Sequence, residues 1–313
     1  MGGIQDLGGD RGMKKGVSRI EKQYRVPALV FTLPFILLFT VFTILPILSS
    51  VGLSFTYFNM LQAPTFIGLD NYVRLLLEDD IFLIALKNTL FFALLTGPLS
   101  YILSFVFAWF INDFPRAVRT FLTFLFYAPS LAGNVYFIWT YIFSDDAVGL
   151  LNSTLLRMGV MNESIQWLTD ANYNTIVVVV VILWLSMSVG FLSFVAGLQG
   201  MDKSLYEAGA VDGVKNRFQE LWYITLPQMV PQLLFGAVMQ ISTSFAIGYE
   251  AMALTGFPST DYSTHTIICH IFDYGTIRFE MGYASAIAVV LFLLMLVFWS
   301  LTRNALNRIS QDA

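Results

Sequence analysis

DKSLYEAGAVDGVKNRFQE, residues 202–220, interrupts a hydrophobic chain with seven charged residues: Asp202, Lys203, Glu207, Asp212, Lys215, Arg217 and Glu220. Charged residues make up only 12% of the 313-residue protein. Residues 171–201 before this stretch and 221–249 after it carry no charge at all. About 20 apolar residues suffice to cross a bilayer core of about 30 Å, so each flank is long enough to span. A charged insert between two spans lies in water or against another protein.

The rest of the chain extends the same pattern. Residues 26–69, 89–112, 120–144 and 281–302 are also free of charge, and the protein is 57% hydrophobic with a mean hydropathy of +0.69. Soluble helices would show polar faces at helical spacing, which these runs lack. The ten-residue alternation of a membrane barrel is absent too. The expected fold is an all-α integral membrane protein of about six transmembrane helices, over 27–54, 83–111, 118–143, 174–199, 228–255 and 282–303. The first apolar stretch is too long for the core of a cleavable signal, so an uncleaved anchor is expected. Residues 1–25 form a polar tail whose Gly-rich opening is expected to lack order. Residues 26–305 form the membrane domain, and residues 306–313 a short second tail.

Lys and Arg orient the chain. With the N-terminus inside, thirteen of them lie on the inner side: Arg11, Lys14, Lys15, Arg19, Lys22, Arg25, Arg116, Arg119, Lys203, Lys215, Arg217, Arg303 and Arg308. Only Arg74, Lys87, Arg157 and Arg278 lie outside. Positive residues accumulate on the cytoplasmic side, so both termini and the charged stretch are expected there. In the external loop of residues 145–173, VGLLNSTLLRMGV predicts a small surface helix. Pro34, Pro46, Pro98 and Pro129 fall within spans, where neighbouring helices re-satisfy the freed carbonyls.

Several chemistries are excluded. The chain has no GxxxxGK[ST], so it does not hold ATP phosphates itself. It has no HExxH, no metal-ligand cluster and no GxSxG elbow. One cysteine, Cys269, rules out an internal disulfide. His265 and His270 flank it and are expected to be polar loop residues near the membrane surface. The spans lack the strings of charge found in proton relays. An ion-coupled secondary transporter and a polytopic glycan or lipid enzyme remain the alternatives.

Glu207-Ala208-Gly209, then Gly213, then Ile224-x-Leu226-Pro227 resemble the EAA loop of ABC importer permeases. Tyr206 and Asp212-Gly213 narrow the resemblance to the carbohydrate-uptake subfamily related to maltose and glycerol-phosphate permeases. Phe66-x-Gly68-Leu69-x-Asn71-Tyr72, Asn88-Thr89 and Gly149-Leu150-Leu151-Asn152 agree, and the resemblance covers roughly residues 30–305. Two departures stand out. The second alanine of the motif is Gly209, and the path from Gly213 to Ile224 is one residue longer than the usual form. The resemblance implies a MetI-like, type I ABC importer transmembrane domain that is not itself an enzyme. It implies a second homologous permease, two cytoplasmic ATPase subunits that bind the ATP and Mg, and an extracytoplasmic solute-binding protein. It also implies a place in the bacterial cytoplasmic membrane. No cofactor, metal or nucleic acid is expected on this chain.

The resemblance makes residues 200–227 the loop that docks in the ATPase. Tyr206, Glu207, Ala208, Gly209, Asp212, Gly213, Leu226 and Pro227 carry that role, with Glu207 placed for a charge-assisted contact. Residues 204–211 read as a short helix with Leu205, Ala208 and Val211 on one face; Gly213 turns the chain. A second short helix is expected over 217–223. Substrate contacts carried over from maltose-type permeases fall on Gln240, Ser244 and Ile247, and near Ser186 and Val189. Gln240 and Ser244 share a helical face and suit sugar hydroxyls. Tyr249, Tyr136, Trp139 and Trp184 offer flat surfaces for sugar rings. Ser, Thr and Gln also bind helices together in membranes, so packing remains the competing role. An oligosaccharide is the favoured cargo, because a phosphate would call for a cation and the spans hold none. Glu250 lies just beyond this patch.

Overall fold

A computed structural model describes Pro27, residues 30–133 and residues 135–311. The expected polar tail, residues 1–25, and the side chain of Arg308 lie outside the described residues. Among the described residues four helical stretches are long and apolar enough to cross a membrane, and up to six if each bent pair counts as one span. The four are α1 (Val30–Leu53), α3 (Asp80–Asn112), the pair α7 (Ala171–Leu185) and α8 (Val189–Gln199), and α14, which begins at Met281 and runs on to Gln311. The third expected span is split into α4 (Arg116–Leu131) and α5 (Tyr136–Ile142). The fifth is split into α11 (Val230–Phe245) and α12 (Tyr249–Thr255). Shorter helices are α2 (Asp70–Leu77), α6 (Leu150–Arg157), α9 (Lys203–Val211), α10 (Arg217–Gln228) and α13 (Ile267–Ile277). One small hairpin pairs β1 (Thr56–Tyr57) antiparallel with β2 (Thr65–Phe66).

Each expected span thus coincides with apolar helix, but three of the six are interrupted. Uncharged residues hide the interruptions, because Ser186, Ser188 and Gly248 do not disturb hydropathy. In α1 the chain widens into a π-turn at Thr40–Ile44, where Leu45 N–H donates to Thr40 O, just before Pro46. A wider turn of this kind absorbs a local mismatch in a helix.

α3 is the central element. Its N-terminal half packs Phe82 and Ala85 against α13 and α14, with Ile267, Tyr274 and Ile287. Phe92, midway, joins Val177, Val178 and Val181 of α7 and Leu254 of α12. Its C-terminal half packs Phe105 and Ala108 against Phe191 and Phe194 of α8 and Leu233 of α11. α8 and α11 approach so closely that a Cβ at Gly236 would sit 2.4 Å from Phe194 Cζ. Small residues permit such crossings in membranes, where packing rather than hydrophobic transfer holds helices together.

The outer loops hang on a few buried polar side chains, and these are the family-like residues of the sequence. Asn71 Nδ2 donates to the carbonyls of Ser54 and Thr56, each at 2.9 Å, and Tyr72 OH donates to Ser54 Oγ at 2.7 Å. Asn88 Nδ2 donates to Tyr262 O and His265 O at 2.8 and 2.9 Å. Thr89 Oγ1 accepts from Ile267 N–H at 2.8 Å. Asn152, fully buried on the expected surface helix α6, donates to Ile165 O at 2.9 Å and accepts from Trp167 Nε1 at 2.8 Å. Each pin satisfies backbone groups that would otherwise be costly to bury.

His265, His270 and Cys269 correct the sequence reading: all three are buried, at 3%, 1% and 2% exposure. The missing information was a partner far away in sequence. Asp79 caps α3 through Phe82 N–H at 2.9 Å. Its other oxygen accepts from Tyr283 OH at 2.7 Å and from His270 Nε2 at 3.0 Å. His270 Nδ1 then accepts from His265 Nε2 at 3.3 Å, which leaves His265 Nδ1 buried without a partner. This chain of bonds assigns one tautomer to each ring.

Burial, with neighbouring His270, pushes His265 down to about 4. Burial also lowers His270, against the pull of Asp79. The unfolded chain takes up these protons near pH 6.5. It therefore binds more protons than the native state as pH falls from about 6.5 towards 4, and stability is lost across that window. The thermal midpoint of the detergent-purified protein is expected to fall from pH 7 to pH 5, and His265→Gln to flatten the fall. An equal acid sensitivity in His265→Gln would place the titrating group elsewhere.

Candidate functional site: a broken-helix cavity and an exposed loop

Three interrupted spans meet around one cavity of about 290 Å³. Ala132 and Gly133 line it from the break between α4 and α5, Ser186 and Ser188 from the break between α7 and α8, and Ile247 from the break between α11 and α12. Broken helices are tolerated at membrane depth only where protein or a wet cavity takes up the freed backbone groups. Here protein does much of it. Ile247 O accepts from Thr266 Oγ1 at 2.6 Å, and Gly248 O from Cys269 Sγ at 3.6 Å. Ser186 O accepts from Ser188 N–H at 2.8 Å and from Ser104 Oγ at 3.4 Å.

Gln240, Ser244, Ile247, Ser186 and Tyr249, drawn from two separate stretches of sequence, all line this cavity. Their chemical availability differs. Ser244 Oγ donates back to Ile241 O at 3.1 Å, and a Cβ on Gly97 of α3 would stand 3.3 Å from it. Ser186 Oγ donates to Leu183 O at 2.6 Å. Both hydroxyls retain only acceptor capacity. The side-chain amide of Gln240, by contrast, has no polar partner among the described residues, so it is free to donate and accept. Tyr249 is exposed and meets the ring of Tyr136 edge-on at 5.6 Å. Val189 does not line the cavity, and Trp139 and Trp184 pack on each other at 5.1 Å instead. Thr243, part of the polar patch of residues 240–244, lines it too, as do Ser188, which the sequence reading does not single out, and Glu250, which it places just beyond the patch. A serine flanking an uncharged helix break carries no hydropathy signal.

The charged stretch folds as two short helices around a glycine. Asp202 caps α9, accepting Ser204 N–H at 3.0 Å. That bond lowers the Asp202 carboxyl below its usual range. Gly213 turns the chain with φ +95°, a left-handed conformation that side chains disfavour. Asn216 caps α10 by accepting Gln219 N–H at 2.9 Å, and Gln219 Oε1 accepts Lys215 N–H at 2.8 Å. α10 then widens into a π-turn at Leu221–Thr225, just before Pro227. A π-turn holds one residue more than an α-turn. This is the length by which the path to Ile224 exceeds the usual form. α10 meets α11 at a bend of 80°.

The expected face of Leu205, Ala208 and Val211 is not the one that α9 packs against the body. Gly209 and Tyr206 point to the body: a Cβ at Gly209 would meet Ile224 Cδ1 at 2.6 Å, and Tyr206 OH lies 3.0 Å from Thr225 Oγ1. Gly209 therefore replaces the usual alanine where Ile224 fills the space of its methyl. Leu205, Ala208 and Val211 are exposed, as are Glu207 and Asp212, and Glu207 has no polar partner among the described residues. Leu226 and Pro227 are half-buried at the root. Phe218, Trp222 and Tyr223 add an exposed aromatic surface that the sequence reading did not single out.

The loop is joined to the C-terminal end of α3 through Arg217. Its guanidinium pairs with Asp113 and lies 4.6 Å from the ring centre of Trp109. A polar cavity of about 410 Å³ opens beside this joint, lined also by Arg119, Lys203 and Glu220.

Residues 100–311 match the family described as binding-protein-dependent transport system inner membrane component. This chain belongs to that family. It is 31% identical over 289 residues to the probable ABC transporter permease protein YesP of Bacillus subtilis strain 168, covering 90% of each chain. It is 30% identical over 270 residues to the arabinooligosaccharides transport system permease protein AraP of the same organism, covering 86% of this chain and 84% of AraP. In fold it matches a chain from the crystal structure of a bacterial ABC transporter involved in the import of the acidic polysaccharide alginate. That match has a TM-score of 0.73 at 23% identity and covers 93% of this chain and 99% of the other. The protein is therefore the membrane component of a binding-protein-dependent ABC transport system, a permease rather than a catalytic subunit.

In this permease the half-exposed Arg217–Asp113 pair contributes about 0.2–1 kcal/mol. The cation–π contact adds about 0.5–1 kcal/mol. A double-mutant cycle of Arg217→Ala and Asp113→Ala, read by thermal unfolding in detergent, is expected to give a coupling energy of about 0.5–1 kcal/mol. A coupling of zero would mean that Arg217 is held by Trp109 alone.

Proposed function

We propose that this permease conducts an oligosaccharide into the cell by alternating access, driven by ATP hydrolysis in separate subunits. The convergence of three broken spans on one cavity of hydroxyl, amide and tyrosine groups carries this reading. Such walls offer paired donors and acceptors to sugar hydroxyls and flat rings to sugar faces. Transporters place substrate sites at discontinuous helices near the middle of the membrane. The similarity to AraP, whose name gives arabinooligosaccharides as its cargo, supports a sugar of more than one unit.

In this reading Gln240 is the principal polar contact, with Tyr249 and Tyr136 as ring platforms and Ile247, Ser186 and Ser244 as the cavity wall. A second homologous permease closes the other side of the pathway. Two ATPase subunits hold the ATP and Mg, and a solute-binding protein delivers sugar from outside. The excess of Lys and Arg supports placing both termini and the loop in the cytoplasm of a bacterial cell. Glu207 and the exposed aromatic residues of α10 then face the ATPase, and closure of the ATPase dimer moves the loop as one body.

Glu207→Lys combined with Gly213→Pro reverses the free charge and forbids the left-handed turn. This variant is expected to insert in the membrane yet lose co-purification of the ATPase subunits and uptake; full uptake would sink the docking role. Gln240→Leu removes one amide contact of about 1–1.5 kcal/mol, so the KM for sugar uptake is expected to rise about tenfold. An unchanged KM in reconstituted transport would assign Gln240 to helix packing.

A further inference from the structure

Among the described residues that line the cavity, Glu250 alone carries a charge. Its carboxylate is held rather than swinging free. Oε2 accepts Gly248 N–H at 3.1 Å, and Oε1 accepts Tyr136 OH at 3.4 Å. These bonds fix one oxygen to the break before α12 and the other to α5, so the charge bridges two of the interrupted spans. Every other polar group on the wall is neutral: the amide of Gln240, the hydroxyls of Ser130, Ser186, Ser188, Thr243 and Ser244, and the phenol of Tyr249.

We propose that Glu250 sets the charge selectivity of this cavity, so that it accepts uncharged oligosaccharides and turns away acidic ones. The inference rests on the cavity being the sugar path described above. Carboxylate, sulfate and phosphate groups are held in proteins by guanidinium, ammonium or converging N–H donors. This wall presents a fixed negative charge instead. A second negative charge entering a part-desolvated cavity a few ångströms from Glu250 is disfavoured by roughly tenfold or more in occupancy. A neutral sugar hydroxyl meets no such opposition, and Glu250 can accept a hydrogen bond from it. The cargo is thereby separated in chemistry from the acidic polysaccharide handled by the transporter of similar fold. The sequence could not show this, since Glu250 reads as an interfacial acid until the break at residues 246–248 turns it onto the cavity wall.

The charge of the cavity can be read without knowing the sugar. Thr243→Cys places a thiol on an exposed part of the wall, and Ser130→Cys places a second on the opposite side. Cys269 is buried, so the unsubstituted protein serves as the blank. In the assembled transporter, each thiol is treated with a cationic and an anionic methanethiosulfonate reagent and the two rates are compared. The cationic reagent is expected to react about tenfold faster at both positions, and adding Glu250→Gln to bring the ratio close to one. A ratio that Glu250→Gln leaves unchanged at both positions overturns the proposal while the sugar path stands. Failure of both reagents to reach both thiols shows a cavity closed to water, which overturns the sugar path and the charge filter together.

Discussion

Every backbone N–H and C=O in the membrane must find a partner in the protein, and this constraint organises the molecule. An unsatisfied group in hydrocarbon costs several kcal/mol. A helix meets the constraint at no cost to its neighbours, and α1, α3 and α14 do so as long helices. Where a span is broken, other residues must substitute for the lost ladder. Thr266 and Cys269 do this at the break before α12, and Ser188 and Ser104 at the break before α8. The breaks are thus confined to the one region where side chains and cavity can serve them. The cavity is a consequence of the same chemistry that makes the breaks affordable.

The outer end of the bundle obeys the constraint with buried polar hubs. Asp79 joins the start of α3 to α13 and α14, while Asn71, Asn88 and Asn152 each gather carbonyls from loops. Asparagine suits this work because its amide supplies two donors and an acceptor without a charge to desolvate. The recurrence of asparagine just beyond the apolar runs reflects loop fixation, not ligand binding.

The apolar runs fixed the number of spans, and the spacing from Tyr206 to Pro227 located a structured loop. Both signals are local, so both were legible. The cavity residues Gln240, Ser244, Ile247, Ser186 and Tyr249 were nominated one by one from the resemblance and from polarity within spans. What stayed hidden depends on distant residues or on breaks without a hydropathy signature. His270 reads as a loop residue until Asp79, a bonded partner from another element, is brought to it. The packed face of α9 holds Gly209 and Tyr206, which have no apolar signature, and Gly209 stands there because Ile224 occupies the space beside it. The unusual length to Ile224 looks like an anomaly in sequence and becomes a π-turn in structure.

The two ends of α3 are held with unequal strength, and this inequality locates motion. Its 33 residues span about 50 Å from the Asp79 hub to the Arg217 joint and pass the cavity at Gly97. The hub is buried, hydrogen-bonded on both carboxylate oxygens and packed in an apolar cluster. Removing one partner from such a network leaves others unsatisfied in low dielectric, so it resists rearrangement. The inner joint rests on a half-exposed ion pair and one ring contact, which together are worth little more than about 1–2 kcal/mol. A partner that binds the loop with ordinary affinity outweighs that easily. Displacement of the loop therefore strains the inner joint and the three breaks around the cavity before it disturbs the outer hub. The fold is stiff where the loops are pinned and yielding where the charged stretch meets α3.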